Sequence, residues 1–379
     1  MLKKKKDSLK DKMFLIKKNI WLSIVLILFI LVFTSGCLDF NGKNNDITYQ
    51  SHPTKIQYTI SYGYRANISG FGNFEIKYDC DLPEVLIGST STSTPLTMGY
   101  QEIELVNNDM VRWDIKNNGE HSYELGIIAD VEAESYIFSD INGKNADSLD
   151  EIRNNNPNIF NQYTSSQIVN NTVYIDANNS GIKTVAGNIL DQTSSSNSFT
   201  LAKELFIWLK NNIDYHVHNG DGGVQTADQT FKIKTGDCDD LSFLYVSLCR
   251  SVNLPARFVR GFLVEENNEV ASAVAHAWAE VFIGGDLGFN GWLPVECACS
   301  SDDPCVQINQ NFGVETANHL RLFEDQGTNE SLNVSLSGIR LKYDDGMTIN
   351  TSAFVDVTEY SVLRTNELHI SEDGNREYQ

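Results

Sequence analysis

Cys238 has the sequence context of a reactive thiol. It follows Gly236 and Asp237, and behind it apolar residues recur with the spacing of one buried helix face, at Leu241, Leu244, Tyr245, Leu248, Cys249 and Val252. The pattern predicts a helix that begins at Cys238, where free backbone N–H groups and the positive end of the helix dipole favour a thiolate. Those N–H groups can also stabilise the oxyanion that forms when the sulfur attacks a carbonyl.

The thiol needs a basic partner, and His276 is the candidate. The carboxylates of Asp237, Asp239 and Asp240 oppose a neighbouring thiolate through their like charge, so an imidazole is required to form it. Residues 271–283 alternate between apolar and polar types and predict a strand that carries His276 on one face.

Glu296 is the candidate carboxylate for His276. Glycines between 284 and 291 predict a turn, and residues 291–296 predict the returning edge strand. Glu296 is then expected at direct or diagonal distance from His276 on one sheet face. A carboxylate bonded to one ring nitrogen fixes the tautomer and leaves the other nitrogen to activate the thiol. Asp302 and Asp303 remain alternatives for this acid.

Four blocks of this region resemble the successive motifs of the transglutaminase-like core. They are GDCDD, NLPARFVRGF, HAWAE and GWLPVE, at 236–240, 253–262, 276–280 and 291–296. The resemblance covers roughly 165–300 and implies a papain-like α+β fold, with Cys238 as nucleophile, His276 as general base and acid, and Glu296 as the orienting acid. Most members carry Asp and then Pro where this chain has Glu296 and Cys297.

A nucleophile, a base and an acid in this order predict acyl transfer through a thiol. Cys238 would attack an amide or isopeptide carbonyl, and the acyl group would pass to water or to another amine. We expect a cysteine peptidase, because water is the default acceptor and family members outside animals are often inferred to be proteases. A protein cross-linking transglutaminase and a non-catalytic surface binding or adhesion module are the alternatives. No cofactor and no metal ion are expected.

The other cysteines have different predicted roles. Cys249 lies on the apolar helix face and is expected in the core. In an oxidising exterior the remaining ones could form two disulfides, among which Cys299–Cys305 is favoured, although spacing leaves the pairing of the set undetermined. The set is Cys80, Cys297, Cys299 and Cys305.

The rest of the chain predicts an α+β protein with a β-rich module before the core. Alternating and aromatic stretches separated by Asn, Gly and Asp turns predict a sandwich-like module at 51–135, which resembles the one that often precedes this core. The predicted order is a leader at 1–37, a linker at 38–50, this module, a linker at 136–164, the core at 165–310, and a C-terminal β extension at 311–379. Within that extension, 332–336 is predicted as a strand and the acidic tail from 371 as frayed.

Residues 1–37 predict a targeting segment. Eight lysines precede an apolar run at 20–33, and the following Thr-Ser-Gly-Cys resembles a lipobox that ends at Cys37, except that Thr34 replaces an aliphatic residue. The alternative is an uncleaved membrane helix, barely at the ~17 residues that a span needs. In either case the lysines stay in the cytoplasm, and the protein is expected at the extracellular face of the membrane.

The charge excludes one class of partner. The whole chain has a net charge of −21, and beyond residue 36 the net charge is −27. Such a surface repels phosphate backbones, so no nucleic acid is expected as a partner. The expected partners are a peptide, protein or cell-wall peptide substrate and, through the leader, the membrane.

Overall fold

The computed structural model describes residues 46–379 except 85, 87, 99–101, 107–108, 194–196, 218–222, 286 and 299–302. The predicted leader, most of the predicted linker at 38–50, Cys299 and Asp302 therefore lie outside the described residues. Asp46–Gln379 forms one compact unit. Within the part of the chain that the structure describes, no helix is both long and apolar enough to span a membrane.

Two antiparallel sheets form the β-rich part of the chain. The larger sheet has the order β19-β18-β1-β6-β3, with β1 at Ile47–Gly70, β3 at Thr90–Met98, β6 at His121–Glu134, β18 at Met347–Ile370 and β19 at Arg376–Tyr378. The smaller sheet has the order β17-β2-β5-β4, with β2 at Asn73–Asp81, β4 at Glu104–Val106, β5 at Met110–Asn118 and β17 at Arg340–Tyr343.

The two sheets share one apolar core because their strands alternate in burial. Tyr58 and Leu125 from the larger sheet and Ile76 and Trp113 from the smaller one are all fully buried in this core. The β-rich module predicted from alternation is confirmed. The module also contains a strand that was not predicted to belong to it, because β18 pairs with β1 along almost its whole length.

The other large part of the described chain consists of eight helices around a third sheet. The helices are α1 at Leu149–Asn155, α2 at Pro157–Gln162, α3 at Ser180–Gln192, α4 at Ser198–Asn212, α5 at Ala227–Ile233, α6 at Cys238–Ser251, α7 at Pro304–Asn311 and α8 at Asn329–Leu336. The third sheet has the order β14-β13-β12-β16, with β12 at Ala256–Asn267, β13 at Val270–Phe282, β14 at Trp292–Val295 and β16 at His319–Glu324.

Three two-stranded pairs complete the fold. They join β7 (Tyr136–Ile137) to β15 (Val314–Glu315), β8 (Gln167–Val169) to β9 (Thr172–Ile175), and β10 (Asp214–Tyr215) to β11 (Thr235–Gly236). The last pair is parallel and leads directly into α6.

Helix α6 lies at the centre of this region. It packs against β12 and β13 on one side and against α3, α4 and α5 on others. Every residue from Asp240 to Ser251 is buried, so the helix has more than the single buried face that its apolar spacing predicts. The charge of Arg250 is met by an ion pair with Asp325 at 3.2 Å. Cys249 is fully buried, as predicted.

Three predictions about the segments around the core are corrected. The segment predicted as a linker, 136–164, contains β7, α1 and α2. Residues 332–336, predicted as a strand, belong to α8, whose cap residue Thr328 accepts a hydrogen bond from Ser331 N–H. The acidic tail at 371–374, predicted to fray, forms the hydrogen-bonded turn between β18 and β19, and these two strands pair.

Candidate active site

Cys238 occupies the first position of α6, as its sequence context predicts. The parallel pairing of β10 with β11 fixes the chain just before it, and Leu241 N–H donates to the Asp237 carbonyl at 3.0 Å to start the helix. The Asp237 N–H donates to Asp240 Oδ2 at 3.1 Å, which caps the helix start. Cys238 itself is only partly buried and packs against the core. The thiol is thus held by a rigid, buried helix and remains accessible.

His276 and Glu296 meet across the sheet. The register pairs Ala279 of β13 with Val295 of β14, which brings Glu296, the next residue, diagonal to His276. His276 Nε2 donates to Glu296 Oε2 at 2.7 Å, and the Ala298 N–H donates to Glu296 Oε1 at 2.7 Å. The side chains of His276 and Glu296 are 10% and 12% exposed. The alternative acid Asp303 is exposed, whereas Glu296 occupies the predicted place beside the imidazole.

His319 also binds Glu296 and was not predicted. It lies on β16, and its Nε2 is 2.9 Å from the same Glu296 Oε2. It comes from the segment predicted as a C-terminal extension and reaches the site through the antiparallel pairing of β12 with β16. No local motif surrounds it, so the only sequence signal was its being one of seven histidines.

Gly261 on β12 lies between the two strands that carry the imidazoles. It pairs with His276 on one side and with Arg321 on the other, where the register shifts by a bulge. A Cβ on Gly261 would lie 1.8 Å from the Leu320 carbonyl oxygen, so only glycine permits this close approach of β16. The glycine of the NLPARFVRGF block therefore helps to bring His319 to the site.

The Glu296 carboxylate and the two imidazoles shift one another's pKa, and the charge of His319 opposes the charge of His276. Burial alone would lower the pKa of His276, but the Glu296 carboxylate and hydrogen bonds with Cys238 and Glu296 raise it to about 9. Against the opposing effect of burial, His276 and His319 hold the pKa of Glu296 far below its ordinary value. Burial also opposes charge on His319, whose pKa the hydrogen bond and charge of Glu296 raise. The hydrogen bond between Cys238 and His276 links the nucleophile to this pair of charges.

The acidic residues beside Cys238 oppose a thiolate less strongly than three charged carboxylates would. Burial, then a hydrogen bond with Asp237, raises the pKa of Asp239 to about 8. Asp239 therefore keeps its proton near neutral pH, which removes one of the three opposing charges. Burial and then the charges of Cys238, Asp237 and Glu296 raise the pKa of Tyr215, so this ring also borders the site.

Two groups of side chains in the described residues have metal-ligand geometry. His276, Glu296 and His319 form one group, and Asp237, Cys238 and Asp239 form the other, each with ligand atoms within 4.8 Å. Both groups consist of the residues that form the candidate acyl-transfer site.

A buried charge network supports the strand that carries His276. Glu280 is completely buried and pairs with Arg257 and Arg321, and Arg321 Nε donates to Glu315 at 2.8 Å. Trp278 Nε1 donates to the same Glu315 at 3.1 Å, and its ring is stacked on that of His276. Glu280 is thus a structural partner near the site.

Two of the four cysteines predicted to form disulfides are free thiols. Cys80 is a buried free thiol in the β-rich core, and Cys297 is buried with its Sγ 3.6 Å from the Val295 carbonyl. Two disulfides drawn from the four cysteines are therefore not formed. The favoured Cys299–Cys305 pair depends on Cys299, which lies outside the described residues.

Comparison with known proteins places the site in a transglutaminase-like domain. Residues 183–297 match the transglutaminase-like superfamily. The protein YebA of Bacillus subtilis (strain 168) is 33% identical over 112 residues, which span 27% of this chain and 13% of that protein. The chain therefore covers only a small part of the length of this relative.

A solved structure shares the fold at low sequence identity. A proposed cysteine protease from Cytophaga hutchinsonii is 14% identical, with a TM-score of 0.52 over 88% of this chain and 100% of that one. The periplasmic domain of TgpA from Pseudomonas aeruginosa is 14% identical, with a TM-score of 0.32 over 69% of this chain and 94% of that domain. The chain thus has an α+β, transglutaminase-like fold joined to a β-rich N-terminal region.

Proposed function

We propose that this chain is a thiol-dependent hydrolase of amide or isopeptide bonds in which Cys238, His276 and Glu296 act as one unit. The observation that carries the proposal is the Nε2 to Oε2 distance of 2.7 Å between His276 and Glu296, with Cys238 hydrogen-bonded to the same imidazole at the start of a helix. Such a chain of nucleophile, base and orienting acid is what nucleophilic catalysis on carbonyls requires.

The reaction follows from the positions of the protons. The Cys238 thiolate forms a bond to the carbonyl carbon, and the resulting oxyanion is stabilised by N–H groups at the start of α6. His276 gives its proton to the leaving amine as the C–N bond breaks, which leaves a thioester on Cys238. Neutral His276 then takes a proton from water, whose oxygen displaces the sulfur and releases the acid.

An extended polypeptide is the substrate class that the surroundings favour. Strand β14 pairs with β13 along Ala279–Phe282 only, so the earlier part of β13 has no strand partner on that side among the described strands. Val274 is 56% exposed and shares its face of the strand with His276. Tyr215, the last residue of β10, and the nearby Val217 are also exposed. An unpaired strand edge with apolar side chains can bind a peptide as an added strand.

The setting that we propose is the extracellular face of the membrane, with surface proteins or cell-wall peptides as substrates. The basic and apolar leader that ends at Cys37 supports export and anchoring. The net charge of −27 beyond residue 36 disfavours nucleic acid as a partner.

The test is product analysis with the full-length protein in detergent. A fluorogenic peptide amide should release its amine, Cys238→Ala should abolish release, and an added fluorescent primary amine should stay unincorporated. Incorporation of the amine in place of hydrolysis would indicate the cross-linking alternative. No turnover by the unmodified protein on peptide, isopeptide or cell-wall substrates would favour the non-catalytic alternative.

A further inference from the structure

His319 is built into the acid end of the candidate site. Its side chain is 7% exposed, and its Nε2 lies 2.9 Å from Glu296 Oε2, the atom that also accepts from His276. On its other side, Nδ1 is 2.9 Å from the Thr316 hydroxyl. The ring also packs edge-on against Trp278, with centroids 5.0 Å apart.

These contacts fix one tautomer for a neutral His319. The Glu296 carboxylate only accepts, so Nε2 carries the proton and donates it. In the neutral form Nδ1 accepts from the Thr316 hydroxyl, and in the charged form it can donate to the Thr316 backbone carbonyl, 3.3 Å away. His319 therefore presents a donor to Glu296 in both its neutral and its charged form.

Glu296 needs such a partner because its side chain is long. A glutamate has one more rotatable bond than an aspartate, and each free torsion reduces the fraction of time that the carboxylate points at His276. Ala298 N–H holds Oε1 at 2.7 Å, and His319 adds a donor to Oε2, the atom that orients His276.

We propose that His319 is a positioning residue that holds Glu296 Oε2 in line with His276 Nε2. This role rests on the proposed function of the Cys238, His276 and Glu296 unit, and it adds a residue to that unit from a distant strand. His319 does not touch the nucleophile in this arrangement and acts through Glu296.

A purely structural role for His319 makes different predictions. A buried histidine that only fills space can be replaced by an apolar residue of similar size with an effect on stability alone. A positioning donor must be replaced by another donor at the same place. Gln presents its amide nitrogen close to where His presents Nε2, so His319→Gln and His319→Leu separate the two roles.

The experiment compares full-length variants in detergent by two measurements. The first is kcat and KM on a fluorogenic peptide amide. The second is the low-field proton resonance of the His276 to Glu296 hydrogen bond in protein labelled with ¹⁵N-histidine, which requires no substrate. The matched control is His369→Leu, because His369 Nδ1 is likewise 3.0 Å from a threonine hydroxyl, that of Thr48, on an exposed strand remote in sequence from the site.

We expect His319→Leu to lower kcat by roughly 10- to 100-fold with KM little changed, as for other groups that orient an active-site ligand. The low-field resonance should be lost or broadened by exchange. His319→Gln should restore the resonance and most of kcat, and His369→Leu should match the unmodified protein. In the Glu296→Gln background, His319→Leu should add little, because both changes remove the same interaction.

The proposal is overturned if His319→Leu keeps both kcat and the resonance at the level of the His369→Leu control, or if His319→Gln is as impaired as His319→Leu. Should His319→Leu fail to fold, His319→Asn replaces it, because its shorter amide cannot place a donor where His319 has Nε2. Equal kcat and equal resonances in His319→Asn and His319→Gln would contradict the role. If the unmodified protein turns over no amide substrate but its resonance depends on His319, the proposed function fails while the positioning role stands.

Discussion

Glu296 accepts hydrogen bonds from His276, His319 and the Ala298 N–H. This arrangement explains how a glutamate can occupy the position at which most transglutaminase-like cores have an aspartate. Cys238, His276 and Glu296 were predictable because each lies in a local motif with the right spacing. His319 was not, since strand pairing rather than a motif brings it to the site. Tyr215 was missed for the same reason.

At the residue scale the raised pKa of His276 predicts an alkaline limit to turnover. The imidazolium must protonate the leaving amine, so kcat/KM should stay high above the ordinary pKa of 6.5 and fall as pH rises through about 9. The stability that the charged pair contributes depends on pH in the same direction: it is present below pH 6.5 and is lost as pH rises through about 9.

Glu296→Gln should move the alkaline limit of kcat/KM towards 6.5 and lower the rate, on the order of 10²- to 10⁴-fold, by favouring the wrong tautomer. A pH profile of kcat/KM checks this, and an unchanged limit in Glu296→Gln would contradict it.

At the scale of elements, local patterns predicted types better than boundaries. The helix after Cys238 and the strand with His276 were both found from periodicity. The segment 332–336 was assigned to a strand because its leucines and valine alternate, yet the Thr328 cap and the burial of Leu332 and Ser335 at helical spacing decide for α8. Caps formed by a side chain outweigh a short alternation.

The burial of α6 predicts that its apolar residues determine the stability of the catalytic region. Leu244 is completely buried, so Leu244→Ala should cost about 2–5 kcal/mol of unfolding free energy through lost contacts and a cavity. Leu363 on β18 is 47% exposed, and Leu363→Ala should cost under about 1 kcal/mol. Urea unfolding of the two variants checks this, and equal losses would show that α6 is not the centre of the core.

At the scale of the whole molecule, the two ends of the described chain meet. The pairing of β1 with β18 joins residues about 300 apart in sequence, and no sequence pattern indicates which distant strands pair. For this reason the C-terminal segment was predicted to be an extension. In the structure it completes the larger sheet and supplies His319 on β16.

Arg376 on β19 predicts that the tail is essential to stability. Its guanidinium is buried and donates to the backbone carbonyls of Phe138, at 2.8 and 3.1 Å, and Asn309, at 3.0 Å. Burial lowers its pKa to about 10. Arg376→Met leaves these carbonyls without donors and should cost roughly 2–5 kcal/mol in urea unfolding. The matched change at the exposed Arg340, which pairs with Asp79 at 2.8 Å, should cost under about 1 kcal/mol, and similar losses at both sites would refute the role of the tail.

The proposed anchoring has its own test at this scale. Cys37→Ser should release the protein from membranes or leave a larger precursor if Cys37 is lipidated after cleavage. Membrane fractionation with intact-mass measurement checks this. A variant that stays membrane-bound at unchanged mass would instead indicate an uncleaved helix, and the catalytic unit would still face the exterior.

Site-resolved alkylation of the folded protein tests whether Cys238 is the activated nucleophile that we propose. Cys249 is the internal control, because it is fully buried and burial raises its pKa to about 12. Near neutral pH, iodoacetamide should modify Cys238 at least about 100-fold faster than Cys249, and His276→Ala should slow the reaction at Cys238 alone. Equally slow modification of both cysteines, or a Cys238 rate that does not respond to His276→Ala, would contradict the account.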